Sequence, residues 1–309
     1  GLGPAGASAA AEAARRGCKV IAVDRKREPG RPVQCAEFVP VMVGVDVGDL
    51  ASSVRQRIVA MATFVEDDAP DVKPDFPGHM LDRAAFDAAL VAAAARASAQ
   101  TRFSALIRKV TRAGVVELAD GQALQAPVII GADGPRSRAG KAIGSVNSEL
   151  VETRQITVGL TKPYAATDIF LSAGIPGGYG WLFPKGEVAN LGAGVAPAHK
   201  SHLKQVVARL HSGLINEGRV GRKILGLTGG SIPVGGMLRP WGRLGETLVL
   251  LAGDAAGLAN PVTGAGIAAA VHSGRLAGQA AATGYVEDYQ GELEDVFKSA
   301  LERALCRRR

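Results

Sequence analysis

The first residues of this chain carry the pattern that most constrains its fold. Glycines stand in the order Gly1-x-Gly3-x-x-Gly6, an alanine-rich segment follows, and residues 18–24 form an apolar run that ends in Asp24. Glycines at this spacing permit a tight turn and let a pyrophosphate approach the N-terminus of the next helix. A carboxylate at the end of the following strand can accept hydrogen bonds from an adenosine ribose. The pattern predicts a dinucleotide-binding βαβ unit with these candidate contacts: Gly1, Gly3, Ala5, Gly6 and Asp24.

The strand that normally precedes such a turn is not in the sequence, which starts at Gly1. We therefore expect a Rossmann-type sheet whose N-terminal strand is missing. NAD and FAD are both compatible with this stretch alone.

Two later motifs distinguish between these cofactors. An apolar run ends in Gly131-Ala132-Asp133-Gly134, which is typical of a buried parallel strand and its turn; an unrelated strand and turn is the alternative. A second apolar run, residues 247–252, leads to Asp254, and a glycine-rich turn leads to a helix at Gly266 and Ile267. Asp254 can accept from ribityl hydroxyls, and the N–H groups at the start of that helix suit the flavin edge and the pyrophosphate. The three motifs in this order predict FAD; a simple helix cap is the alternative role of Asp254.

An aromatic segment lies between these motifs. It has the pattern Pro176-x-x-Tyr179-x-Trp181-x-Phe183-Pro184, and Gly192-x-Gly194 follows after seven residues. Side chains at alternating positions of a strand lie on one face, so the three aromatic residues should form one apolar wall. Three core aromatics in an ordinary strand are the alternative.

Two cations near the aromatic residues are candidate ligands of an anionic substrate head group. Lys185 follows Pro184 directly, and Arg239 precedes Pro240 and Trp241. Either side chain could pair with a diphosphate or a glycerophosphate. A solvated surface charge is the alternative for each.

The motif order resembles that of the flavoproteins that include hydroxybenzoate hydroxylase, halogenases and geranylgeranyl reductases, over almost the whole chain. The aromatic segment resembles the signature of the geranylgeranyl reductase family. This resemblance implies FAD-dependent reduction of carbon–carbon double bonds in a geranylgeranyl chain of a lipid or diphosphate, by hydride transfer from reduced flavin. It makes Tyr179, Trp181 and Phe183 candidate catalytic and substrate-binding residues.

The resemblance also assigns roles to residues in the first third of the chain. The stretch Leu81-x-Arg83-x-x-Phe86-Asp87 resembles a helix start of the family, which implies that Arg83 contacts FAD; a surface arginine is the alternative. Loop 32–38 resembles the family loop that passes the isoalloxazine, which implies contacts from Cys35 and Ala36. Cys35 is also a candidate catalytic proton donor, and a buried, inert cysteine is the alternative.

Two other functions stay open. Halogenases carry W-x-W-x-I-P in a comparable place, and this chain differs at two of those four fixed positions, which favours the reductase over a flavin-dependent monooxygenase or halogenase. The other alternative is a non-catalytic protein that transfers electrons through flavin or binds a prenyl lipid. A reductase needs an external electron donor, such as NAD(P)H or ferredoxin, and the sequence has no second GxGxxG pattern that would bind a nicotinamide cofactor tightly.

Composition narrows the range of partners. The net charge of +7 suits phosphate-bearing ligands or an anionic membrane surface. Basic residues are scattered and aromatic residues make up 5% of the chain, so no nucleic-acid-binding module is indicated. The three cysteines lie far apart and predict neither a metal site nor a disulfide framework. We expect a cytoplasmic protein that makes peripheral contact with the inner face of the membrane, where isoprenoid lipids lie.

The expected fold class is α/β, with a Rossmann-type FAD-binding domain interleaved with a smaller substrate domain made of a β-sheet and a helix. We expect the FAD-binding domain at 1–150 and 229–284, the substrate domain at 151–228 and a C-terminal helix at 285–309. A helix is predicted at 82–97, where Asp82 can cap the first turn. Apolar spacing predicts a second helix at 198–214. Strands are predicted at 155–161, 168–171, 179–184 and 188–195.

Overall fold

Runs of several strands separate the helices along the first half of the chain, in a computed structural model that describes residues 1–41, 51–66 and 68–308. The α-helices lie at Pro4–Arg15 (α1), Arg83–Arg96 (α2), Arg138–Ala142 (α3), Leu203–Asn216 (α4), Ile267–Thr283 (α5), Val286–Leu293 (α6) and Ser299–Arg308 (α7). A single turn of π-helix, Glu294–Lys298, joins α6 to α7.

The strands fall into one large sheet and several small ones. In chain order they are Ile21–Val23 (β1), Phe38–Pro40 (β2), Val54–Ile58 (β3), Ala60–Val65 (β4), Asp71–Lys73 (β5), Gly78–Leu81 (β6), Gln100–Arg102 (β7), Ile107–Val110 (β8), Val115–Leu118 (β9), Ala123–Gln125 (β10), Val128–Gly131 (β11), Leu150–Leu160 (β12), Ala166–Leu171 (β13), Gly180–Lys185 (β14), Val188–Val195 (β15), Val220–Pro233 (β16), Trp241–Leu244 (β17) and Thr247–Leu251 (β18).

The parallel pairs β1–β7 and β11–β18, with α1, α2 and α5, form what we call the dinucleotide lobe. Strand β18 is buried along its whole length, as expected for a parallel strand covered on both faces. Helices α1 and α5 cross very closely because glycines face the backbone of α1: a Cβ on Gly274 would lie 2.2 Å from the Ala5 carbonyl oxygen. This close crossing holds the N-terminal ends of both helices beside the end of β18.

The large sheet has the order β16-β12-β15-β14-β13-β4-β5. One face packs against α4, where Val158, Leu182 and Leu191 are completely buried. We call this sheet with α4 the sheet lobe. On its opposite face, Trp181 and Phe183 pack against Ile58 and Met80 of the small sheet β2-β6-β3.

The sheet lobe is larger than the predicted range 151–228. Strands β4 and β5 come from the range 1–150 and join the sheet through the parallel pair β4–β13. At the other end, β16 continues through the expected boundary at residue 229. Both differences arise because strand pairing joins segments that are distant in sequence, such as Ala60 with Ala166 and Leu150 with Pro233. The local alternation of side chains does not reveal the partner.

Candidate functional site

The turn at the start of the chain is shaped by steric limits at two of its three glycines. A Cβ on Gly1 would lie 2.6 Å from the Ala132 carbonyl oxygen, and a Cβ on Gly6 would lie 1.7 Å from the Gly1 carbonyl oxygen. Gly3 instead faces open space, with nothing within 4 Å of its Cβ position. The turn is therefore tight on the protein side and open on the side where a pyrophosphate would bind.

Asp24 lies at this turn, as the spacing predicts. Its buried carboxylate accepts hydrogen bonds from the backbone N–H of Leu2 at 2.6 Å and of Lys26 at 2.8 Å. Each oxygen of a carboxylate can accept a second hydrogen bond. Asp24 is thus held in place by the backbone and keeps acceptor capacity for a ribose hydroxyl.

The helices that begin at the two glycine-rich turns, α1 and α5, lack side-chain caps. Gly3 is the N-cap of α1 and Gly266 is the N-cap of α5, and neither can provide a capping side chain. The first N–H groups of both helices therefore carry partial positive charge without an internal acceptor. With the open side of Gly3, this arrangement fits the phosphates and the electron-rich edge of a flavin dinucleotide.

Arg83, Cys35 and Asp254 come together beside the N-terminus of α5, although they are far apart in the sequence. Burial raises the pKa of Asp254 to about 6, and the nearby Arg83 guanidinium offsets part of this rise. Burial opposes the charge of Arg83, but the neighbouring Cys35 and Asp87 side chains raise its pKa above the ordinary value. The Arg83 guanidinium pairs with Asp87 at 3.0 Å. The predicted cap is also present, since Asp82 accepts from the Ala85 N–H at 3.0 Å.

Glu37 is a buried residue at this site that the sequence did not single out. Its carboxylate accepts from the Arg83 backbone N–H at 3.1 Å, from the Asn190 amide at 2.8 Å and from the Lys185 ammonium. Its own N–H donates to Cys35 Sγ at 3.2 Å. Glu37 adopts a left-handed backbone conformation, with φ of 69°, which non-glycine residues rarely adopt. It joins the loop at 35–37 to both α2 and the large sheet.

The three aromatic residues lie on one face of the sheet lobe. Tyr179 and Trp181 have ring centroids 5.9 Å apart, and those of Trp181 and Phe183 are 6.3 Å apart. The indole lies over Gly192 of β15, where a Cβ would be 2.4 Å from Trp181 Cζ2. The indole N–H donates to Gln155 Oε1 at 3.1 Å. The spacing of the signature thus reflects strand register, because Trp181 pairs directly with Gly192.

This aromatic face is attached at both ends to segments that carry candidate flavin contacts. The Phe183 ring lies 5.6 Å from the ring of Phe38, at the end of loop 32–38, and Ala36 belongs to the same apolar cluster. At the other end, the Tyr179 hydroxyl donates to the Thr263 carbonyl at 2.5 Å, in the loop that leads into α5. Burial raises the pKa of Tyr179 to about 12, so its hydroxyl stays protonated. The aromatic residues are therefore fixed relative to the candidate flavin contacts.

A cleft of about 1060 Å³ opens beside the aromatic face, between the loop at 25–33 and the sheet lobe. Its floor includes the buried side chains of Glu37, Gln155 and Asn190. Its exposed end carries Arg25, Arg27, Arg31 and Leu227. The aromatic rings themselves are largely buried behind the polar floor rather than forming the wall of this cleft.

The two predicted head-group cations have protein partners. Lys185 lies in the cleft, but its ammonium is paired with Glu37. Arg239 lies at the end of α3, where its guanidinium donates to the Ile143 carbonyl at 2.7 Å. The structure therefore brings Lys185, but not Arg239, to the cleft. No local pattern in the sequence indicated the pair of Glu37 and Lys185, which are 148 residues apart.

Comparison with known proteins agrees with this arrangement. The family model of the geranylgeranyl reductase catalytic domain matches residues 151–231. A digeranylgeranylglycerophospholipid reductase 2 from Methanopyrus kandleri is 33% identical, over 99% of this chain and 83% of its own length. A digeranylgeranylglycerophospholipid reductase from Methanosarcina acetivorans is 31% identical, over 91% of this chain and 73% of its own length. The chain belongs to the geranylgeranyl reductase family. It is therefore a flavin-dependent oxidoreductase, as the order of motifs predicted.

Solved structures confirm the α/β flavoprotein fold. The crystal structure of a geranylgeranyl bacteriochlorophyll reductase-like protein from Thermoplasma acidophilum matches with a TM-score of 0.86 and 25% identity, over 100% of this chain and 85% of its own. The flavin-dependent halogenase CmlS matches with a TM-score of 0.67 and 16% identity, over 99% of this chain and 61% of its own. The likeness to the halogenase concerns the fold alone, and the family match favours the reductase over the halogenase alternative.

Proposed function

We propose that this geranylgeranyl reductase family member uses FAD to reduce carbon–carbon double bonds in the geranylgeranyl chain of a lipid or a diphosphate. The observation that carries the proposal is the aromatic face of Tyr179, Trp181 and Phe183, which packs against loop 32–38 and is tied to the loop before α5. The curated relatives are named for the reduction of digeranylgeranylglycerophospholipids, which supports a phospholipid substrate.

FAD is the cofactor that fits the described residues. The open turn at Gly3 suits its phosphates, and the uncapped start of α5 suits its ring edge. The carboxylate of Asp24 suits its ribose hydroxyls, and that of Asp254 suits its ribityl hydroxyls. We assign contacts with FAD to the following residues: Gly1, Gly3, Ala5, Gly6, Asp24, Cys35, Ala36, Arg83, Asp254, Gly266 and Ile267. When bound and reduced, FAD supplies a hydride from N5.

The protein must make an unactivated double bond accept that hydride. Protonation of a trisubstituted alkene gives a tertiary cation, so the site needs a proton donor, a dry surface and close alignment. We assign the dry surface to Tyr179, Trp181 and Phe183, whose rings exclude water along one side. We assign the proton to Cys35 Sγ, which lies beside the Arg83 guanidinium and accepts the Glu37 N–H. Both groups would stabilise negative charge left on the sulfur.

Electrons must come from outside the chain. Among residues 1–41, 51–66 and 68–308, the only dinucleotide turn we identify is the one at Gly1–Gly6, which we assign to FAD. We propose a transient external donor, either NAD(P)H or a protein such as ferredoxin.

We also propose peripheral contact with the inner face of the membrane. No helix within the described ranges is long and apolar enough to cross a bilayer. The edge strand β16 exposes Ile224 and Leu225, each with more than half of its surface accessible, directly after Arg222 and Lys223. Exposed apolar side chains next to cations suit a bilayer surface that carries anionic lipids.

Product analysis tests the proposed function. The FAD-loaded protein, reduced with dithionite without oxygen, is incubated with a digeranylgeranylglycerophospholipid, and lipid masses are measured. We expect the lipid to gain a pair of hydrogens for each double bond reduced, and Trp181→Ala to lower the yield without releasing FAD. An unchanged lipid mass would contradict the proposed reduction. Hydroxylated or halogenated products after addition of oxygen and halide would favour the alternative enzymes.

A further inference from the structure

The exposed end of the cleft contains arginines that have no ionic partner within the described ranges of the chain. Arg25 and Arg27 follow Asp24 in the chain, are exposed and line the cleft. Across the residues that the structure describes, neither side chain takes part in a salt bridge or a side-chain hydrogen bond. Arg31 lies next to them, 3.7 Å from the exposed carboxylate of Glu28.

The carboxylates of the cleft do not neutralise these arginines. Glu37 is paired with Lys185 on the floor. Asp82 pairs with Arg55 at 2.7 Å, and this hydrogen bond lowers the pKa of Asp82. Glu28 is the remaining acid among the lining residues. The outer half of the cleft therefore has a net positive charge, contributed by Arg25, Lys26, Arg27 and Arg31.

The loop that carries these cations is fixed rather than free. Gly30 has a φ of 71° and touches the backbone of α2 so closely that a Cβ would lie 2.6 Å from the Ala84 Cα. On the other side, the Thr228 hydroxyl donates to the Val33 carbonyl at 2.6 Å, and the Gln34 amide donates to the Gly229 carbonyl at 3.0 Å. The cations are thus held opposite β16. Because the loop is already ordered, ligand binding does not have to supply the free energy of ordering it.

The two ends of the cleft differ in chemistry. The inner end has a polar floor of uncharged amides and a paired carboxylate, and the aromatic face lies behind this floor, since Gln155 accepts from the Trp181 indole. The outer end offers guanidinium groups, which bind phosphate oxygens with two parallel hydrogen bonds. The outer end of this cleft therefore suits a phosphate group.

We propose that Arg25 and Arg27 form the subsite for the phosphate of the substrate head group, either the diphosphate of a prenyl diphosphate or the phosphate of a phospholipid. In this proposal, Arg25 and Arg27 take the head-group role that the sequence predicted for Lys185 and Arg239, whose cationic groups already have protein partners. The proposal rests on the proposed function, because it places the head group of that same substrate.

The test compares two substrates that differ only in the head group. Geranylgeranyl diphosphate and geranylgeraniol, both in detergent, are supplied to the reduced holoenzyme and to Arg25→Gln/Arg27→Gln. The matched control is Arg108→Gln/Arg112→Gln, which removes two exposed arginines from the region of β8 and β9. We expect the first variant to raise KM for the diphosphate roughly tenfold or more, the scale of a lost charge-assisted hydrogen bond, and to leave KM for the alcohol unchanged.

Three results would overturn the subsite. An unchanged KM for the diphosphate, or an equal rise of KM for both substrates, would show that the arginines do not bind the head group. A loss of bound FAD in Arg25→Gln/Arg27→Gln would show that they serve the cofactor instead.

A binding measurement separates this proposal from the proposed function. Calorimetry with inorganic pyrophosphate should detect binding to the wild-type holoenzyme and to the control, and much weaker binding to Arg25→Gln/Arg27→Gln. If the wild type reduces neither substrate but pyrophosphate binding depends on these arginines, the proposed reaction is contradicted and the proposed phosphate site is supported. If the wild type reduces both substrates and pyrophosphate binding is the same in all three proteins, the proposed phosphate site is contradicted and the proposed reaction is supported.

Discussion

The indole of Trp181 lies directly over Gly192, its partner on the neighbouring strand, and a Cβ at Gly192 would be 2.4 Å from the ring. The glycine therefore makes room for the largest side chain of the aromatic face. The Trp181 N–H is fixed in turn by Gln155 on the next strand. Residues from three adjacent strands thus set the position of one aromatic ring, close to the loop that carries Cys35 and Ala36.

A methyl group at Gly192 should displace that ring. We expect Gly192→Ala to lower the free energy of unfolding by about 1–3 kcal/mol, the usual cost of overpacking, and to shift the tryptophan fluorescence. Gly159→Ala is the matched control, because Gly159 also lies in this sheet and has nothing within 4 Å of its Cβ position. Equal denaturation curves for the two variants would show that the ring does not require the glycine.

The raised pKa of Asp254 predicts a pH-dependent stability of the flavin-free protein. Burial raises this pKa from 3.8 to about 6, so the folded chain binds a proton that the unfolded chain releases at lower pH. Stability from this group is therefore lost as pH rises through that interval. Asp254→Asn cannot lose the proton, and its stability relative to wild type should increase between about pH 4 and pH 7 by about 1–3 kcal/mol. Urea denaturation across this range measures the difference, and a difference independent of pH would contradict the assignment.

The ion pair between Glu37 and Lys185 connects the flavin loop to the large sheet. Glu37→Gln would remove the carboxylate that pairs with the largely buried Lys185 ammonium and leave only the weaker interaction of Lys185 with Asp82 among the described residues. We expect a loss of about 2–3 kcal/mol, less than for a fully buried pair because Lys185 keeps some contact with solvent.

Two further variants test this explanation of the Glu37→Gln effect. Glu37→Gln combined with Lys185→Met should recover most of the loss, because no unpaired charge remains. Glu117→Gln, which breaks the exposed pair with Lys109, should cost less than about 1 kcal/mol. A double variant as unstable as Glu37→Gln would mean that the ion pair is not the cause.

Arg83 should have two separable roles. Arg83→Met leaves Asp87, which is nearly completely buried, without its cation, and we expect a loss of about 3–5 kcal/mol. Asp87→Asn in the same chain should restore part of the stability. FAD affinity should stay low in both variants if Arg83 also contacts the cofactor, and titration of flavin fluorescence measures this. Wild-type FAD affinity in Arg83→Met would remove Arg83 from the cofactor site.

The local parts of this fold could be predicted from the sequence because each depends on residues that are neighbours in the chain. Helix α2 begins after Asp82 as its capping role predicts, and β15 has the predicted bounds 188–195. Glycine spacing indicated the turn before α1, where backbone contacts at Gly1 and Gly6 exclude side chains.

The remaining parts depend on long-range contacts that no local pattern encodes. The pairing of β4 with β13 extends the sheet lobe beyond its predicted limits. Lys185 was predicted to bind a head group because its partner, Glu37, is distant in sequence and gave no local signal. The same holds for the outer cleft, which is defined only when loop 25–33 meets β16.

The most direct test of the central claim follows the flavin spectrum without oxygen. The FAD-loaded protein is reduced with dithionite until the flavin band bleaches, excess reductant is removed, and geranylgeranyl diphosphate or a digeranylgeranylglycerophospholipid is added. We predict that the band returns with substrate alone, with a slower return in Trp181→Ala. A band that returns only when oxygen is admitted would contradict reduction of the double bond as the reaction of this protein.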